Sequence, residues 1–85
     1  MWIHHRDVVM AGGVACNIGP DGMFVHSDFI PEVCTCVDIE VALLRDQDTA
    51  LLIPGLVVHC REGGFGVIFR QLDSAAREFV EHCLN

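Results

Sequence analysis

Between residues 35 and 43 the chain alternates, with Val37, Ile39, Val41 and Leu43 apolar and Asp38 and Glu40 charged between them. Successive side chains of a strand leave opposite faces, so this stretch is a half-buried β-strand with one face on a core and one in water. The other strand-forming stretches are set off by turn residues. Residues 7–16 read as a strand interrupted at Gly12-Gly13, where a tight turn or bulge is expected. The turn cluster Asn17-Ile18-Gly19-Pro20-Asp21-Gly22 runs straight into the apolar strand Met23-Phe24-Val25, and residues 27–31 read as a loop. Residues 45–48 form a polar hairpin connection to a second long strand, 51–61. Pro54 lies inside that strand and cannot donate to a ladder, so it is expected at a bulge or an unpaired edge position. Glu62-Gly63-Gly64 turns the chain once more into a last strand, 65–69.

After Phe69 the period changes. Leu72, Ala76, Phe79, Val80 and Cys83 recur at steps of three and four, which is one face of a helix. Asp73 or Ser74 caps its first turn. Short strands closed by one amphipathic helix predict a mainly β domain: a small six-stranded antiparallel β-barrel with a C-terminal α-helix, over an opening or against a partner.

The length allows one domain, 1–85. At 52% hydrophobic residues and a mean hydropathy of +0.43 the chain is more apolar than such a domain requires. That surplus favours a protein partner or a homo-oligomer. Twelve acidic residues oppose five basic ones, for a net charge of −7, and every basic residue is an arginine. DNA and RNA are held by basic footprints, so nucleic-acid binding is not expected. A small dianion is still a feasible ligand, since a few arginines and backbone N–H groups suffice. No secretory h-region precedes the five cysteines, and no apolar run approaches the roughly 18 residues of a spanning helix. The expectation is a reduced, cytoplasmic protein without membrane insertion, whose cysteines act as small core hydrophobes.

Two chemical constellations are weighed against that reading. Cys34 and Cys36 with Asp38 and Glu40, or with the pair His59-Cys60, would make a metal- or thiol-based module. A Cys-x-Cys on a strand, however, places the two Cα atoms about 7 Å apart, whereas structural zinc sites use pairs that converge in tight turns. No metal and no cofactor are expected. A catalytic Cys–His pair is disfavoured at His59-Cys60 because neighbours on a strand point to opposite faces, so the chain is not expected to be an enzyme. Gly63-Gly64-Phe65-Gly66 lacks the lysine and following helix of a phosphate loop. His4-His5 reads as a solvated arm, and Trp2, if exposed, as an anchor for a partner.

Three blocks together resemble the PilZ domain family. Asn17-x-Gly19-x-x-Gly22 before Met23-Phe24-Val25 is similar to that family's (Asp/Asn)-x-Ser-x-x-Gly motif. The stretch Ile53 to Val58 resembles its Gly-x-Val-Val strand, and Gly63 to Leu72 resembles its Gly-x-Gly-Val-x-Phe strand. The resemblance implies a bacterial cyclic di-GMP signalling module acting in pilus, motility or biofilm control. It also implies a two-part ligand site made of that turn and an Arg-x-x-x-Arg segment. Here Asn17 and Gly22 match, and Gly19 replaces the serine. Arg6 has Trp2 four residues before it and Met10 four after it, so the arginine pair is absent. By resemblance Asn17 would contact a base edge, Gly19 and Gly22 would allow close backbone approach, and Arg6 would face phosphate. The expectation is an adaptor with a degenerate nucleotide site. The alternative is a working receptor that uses Arg6 or arginines from elsewhere, including a longer natural N-terminus.

Overall fold

The computed structural model of the chain describes residues 1–6, 8–43 and 46–84, and side chains outside 42–49. Seven strands and a helix follow one another: β1 (Trp2–His5), β2 (Val8–Gly12), β3 (Val14–Cys16), β4 (Gly22–His26), β5 (Cys36–Leu43), β6 (Asp46–Arg61), β7 (Gly64–Phe69) and α1 (Ser74–Leu84). They form one antiparallel sheet in the order β2-β1-β5-β6-β7-β4-β3. The fold is thus mainly β with a C-terminal helix. It differs from the expected barrel in having, among the described residues, seven strands and no ladder that closes the sheet.

The difference lies at Gly13. The two sheet margins, β2 and β3, are consecutive in the chain and separated by this one residue. β2 pairs with β1 and β3 with β4, so residues 8–16 act as one strand, interrupted at the glycines, that serves both margins. Gly13 exchanges backbone hydrogen bonds with Met1, its N–H donating to the Met1 carbonyl at 3.0 Å. A Cβ on Gly13 would come within 2.9 Å of Val25 Cγ1 and 3.2 Å of Ile3 Cδ1. Side chains from β1 and β4 therefore converge there, and the sheet is rolled onto itself at one corner. Only a residue without a side chain fits between them.

The roll encloses the core. Ile3, Val25, Val37, Ile39, Val41, Ile53, Val57, Phe65 and Val67 are buried, each set alternating along its strand as period two requires. Asp38 and Glu40 stay on the outer face, where Glu40 accepts a 3.0 Å hydrogen bond from His4 Nε2. Strand β6 begins at Asp46, so Asp46 to Asp48 belong to the strand and not to the connection, while Arg45 lies outside the described residues. Pro54 is neither at a bulge nor on an edge strand. The β6–β7 ladder ends at Gly55–Phe69, and the Pro54 carbonyl accepts the Arg70 N–H at 2.9 Å just beyond it. In an antiparallel strand a residue's N and O point the same way, so the missing donor falls just beyond the ladder's end. The bulge in this ladder is at Val57/His59.

The helix starts where the period changes. The Asp73 carboxylate accepts the Ala76 N–H at 2.8 Å, satisfying one orphan donor of the first turn. Ala76 joins the core, with Leu72 and Phe79 packed against it, and α1 rests on β6. Cys83 is exposed, so the apolar face ends a turn earlier than its spacing suggests. Asp73→Ala is expected to lower stability by about 1 kcal/mol, measured by chemical denaturation at unchanged m.

None of the five cysteines is fully buried: Cys16 and Cys60 are half-buried, and Cys34, Cys36 and Cys83 are exposed. The expected role as core hydrophobes holds in part for Cys60, which packs against the core, and is corrected for the exposed Cys34, Cys36 and Cys83. Among the described residues no helix is long and apolar enough to cross a membrane.

Candidate functional site

The segment Asn17 to Gly22 links β3 to β4 and is tied down at three points. Asn17 takes φ +51°, a left-handed conformation that asparagine tolerates better than most residues, and its side chain is exposed. Ile18 packs against the core beside it. The Gly19 N–H donates to the Gly22 carbonyl at 2.8 Å, closing a turn around Pro20-Asp21, and the Asp21 carbonyl accepts the Phe69 N–H at 2.7 Å. The loop therefore has a fixed shape, with Asn17 presented outward.

Its two glycines are not equivalent. At Gly22 a Cβ would collide with the Val67 carbonyl oxygen and crowd Ile68 Cα, both backbone atoms of the neighbouring strand β7. The need for glycine there is met by strand packing, without a ligand. At Gly19 the nearest atom to an added Cβ is the Gly22 carbonyl oxygen at 3.8 Å, so a side chain fits. Position 19 has room for the serine hydroxyl that this chain lacks.

Arg6 is on another hairpin. It occupies the β1–β2 turn with φ +53°, exposed, beside His5, whose Nδ1 donates to the Cys36 carbonyl at 3.1 Å. The hairpins β1–β2 and β3–β4 lie at opposite margins of the sheet order, with β5, β6 and β7 between them. Among the described residues no hydrogen bond or ion pair connects Arg6 with Asn17, Gly19 or Gly22. The arginine closest in register to the loop is instead Arg70, exposed, directly after the Phe69 that bonds Asp21. Sequence reasoning passed over it because only the β4–β7 register, Gly22 opposite Ile68, brings it alongside.

The outer face next to the loop carries a second cluster. Arg61 caps the Phe24 ring with its Cζ 4.2 Å from the centroid, a cation–π contact worth about 0.5–1 kcal/mol at an exposed site. His26 packs edge-on against the same ring with centroids 5.1 Å apart, and His59 lies 6.5 Å from it. Gly64 lies under the ring, since a Cβ there would come within 2.5 Å of Phe24 Cε1. The residues weighed as a metal module do not assemble. Cys34 sits in a turn before β5 with φ +73°, Cys36 is exposed on β5, Cys60 donates its thiol to the Pro31 carbonyl at 2.9 Å, and His59 faces outward. Among the described residues no group of three or more His, Cys, Asp or Glu is placed to hold a metal ion.

A rolled antiparallel sheet with one C-terminal helix packed on it and a fixed turn between β3 and β4 defines a small, mainly β module. The chain belongs to the PilZ family: the family model described as PilZ domain matches residues 3–85, essentially the whole chain. PilZ domains are modules of cyclic di-GMP signalling and are generally non-enzymatic. No curated protein and no solved structure matches the chain.

Proposed function

We propose that this PilZ domain is a non-catalytic adaptor of bacterial cytoplasmic cyclic di-GMP signalling that works through a protein partner, with a nucleotide site too depleted for tight binding. The observation that carries this reading is strand β2. It is a margin of the sheet, and its sequence Val-Val-Met-Ala-Gly contains no charge, lysine or proline to discourage pairing. Val8, Val9 and Met10 are all exposed, as are the neighbouring Trp2 and Val14. Proteins normally blunt such an edge, and an unblunted apolar one is suited to receiving an extended segment of another chain.

The depleted site supports the same reading. An arginine fork gives a charge-assisted, bidentate grip on phosphate, about 1.5–3 kcal/mol per contact. The loop has Asn17 and a fixed turn, but Arg6 belongs to the opposite hairpin and the serine is Gly19. The alternative of a working receptor is favoured by one feature, the placement of Arg70 beside Asp21, which offers a single guanidinium where the family resemblance implies two.

Val9→Lys tests the edge. Val9 is exposed, so the fold tolerates the change, and a charge on the edge opposes strand addition. Parallel affinity captures are expected to recover a partner with the native chain and to lose it by about tenfold with Val9→Lys, while Glu62→Lys in the β6–β7 turn retains it. Equal recovery by Val9→Lys would remove the edge from the account.

A further inference from the structure

Cys16 Sγ lies 3.2 Å from Nε2 of His26. The two sit diagonally on the β3–β4 hairpin. Cys16 is opposite Phe24, and His26 is two residues further along the same face, a separation that long side chains bridge. The imidazole is braced from behind: it packs edge-on to Phe24, whose ring lies over Gly64 and under the Arg61 guanidinium. The other cysteines lack this arrangement. Cys60 spends its thiol proton on the Pro31 carbonyl, and Cys34, Cys36 and Cys83 have no hydrogen-bonded imidazole among the described residues.

We infer that Cys16 is a peroxide-reactive thiol, with His26 as the base that receives its proton and a sulfenic acid as its product. In the tautomer that carries its proton on Nδ1, His26 presents the Nε2 lone pair to the thiol. As that proton moves to Nε2, the sulfur electron pair attacks the nearer oxygen of a hydroperoxide. The S–O bond forms and the O–O bond breaks. Sulfur is oxidised by two electrons and the peroxide is reduced by two, and the departing hydroxide takes the proton from His26 to leave as water. With hydrogen peroxide the sum is thiol plus peroxide giving sulfenic acid plus water. Cys16 is half-buried and its pair with His26 is open to solvent, so a small peroxide reaches it. The product stands immediately before Asn17, where the backbone turns left-handed and the loop begins.

The full chain, treated with less than one equivalent of hydrogen peroxide and a dione trap for sulfenic acid, is read by peptide mass spectrometry beside iodoacetamide alkylation rates at neutral pH. The trap adduct is expected on Cys16. Its alkylation is expected to run about tenfold faster than that of Cys34, Cys36 or Cys83, and to fall about tenfold in His26→Gln while the others are unchanged. Circular dichroism of His26→Gln checks that the exposed substitution leaves the fold intact. Label spread evenly over the exposed cysteines, a trap adduct on a different cysteine, or a folded His26→Gln chain whose Cys16 reacts at the native rate would overturn the assignment.

Discussion

Gly22→Ala is expected to lower the stability of this domain by about 3 kcal/mol, a large share of what a domain of this size possesses. The new Cβ would meet the Val67 carbonyl oxygen and Ile68 Cα. Both belong to the backbone of β7, so relief requires moving a strand and not a side-chain rotamer. That movement breaks the β4–β7 register, Gly22 to Ile68 through His26 to Gly64, and with it the Phe69–Asp21 hydrogen bond that holds the loop. Gly19→Ser, three residues earlier, is expected to stay within about 0.5 kcal/mol of the parent, because its neighbourhood is open. Chemical denaturation of the two variants side by side measures the contrast. A Gly22→Ala chain as stable as the parent would mean that the two strands do not lie in this register.

Phe65→Ala is expected to cost about 3–5 kcal/mol and to leave much of the chain unfolded at room temperature. Among the described residues Phe65 is the largest fully buried side chain, at 0% exposure, on β7 between Val25 of β4 and Cys60 of β6. Truncation removes apolar area from the point where three strands meet inside the roll, and a small domain has little core with which to collapse around the cavity. The measurement is the denaturant midpoint, or loss of cooperative unfolding. A loss below about 1 kcal/mol would place the ring at the surface, contrary to this core.

Local periodicity made most strands and the helix legible, but not β1: His4-His5, expected as a solvated arm, lie in a strand paired on both sides, with β2 and β5. Val37, Ile39 and Val41 alternate into the core as their spacing requires, the glycine pair at 12–13 interrupts a strand, and Asp73 caps the helix. What periodicity leaves open depends on register, which couples residues far apart in sequence. Arg6 and Asn17 are eleven positions apart, yet the kinked strand between them assigns them to hairpins at opposite margins of the sheet order. Arg70 reaches the loop only through the pairing of β7 with β4, and Cys16 meets His26 only because the five-residue connection 17–21 pairs β3 with β4 and sets the two residues diagonally on one face. Gly22 matched the family motif for a reason that no single strand displays, the closeness of β7. Its presence therefore reports the fold, and the absent serine and arginine pair bear on the ligand.

Isothermal titration of the isolated chain with cyclic di-GMP bears most directly on the proposed depletion of the nucleotide site. Two missing charge-assisted contacts, at about 1.5–3 kcal/mol each, weaken binding by about 10²–10⁴-fold, so heat of binding should be undetectable at micromolar ligand. A saturable isotherm with a dissociation constant of about 1 μM or below would contradict the adaptor reading and make the loop beside Arg70 a working receptor site.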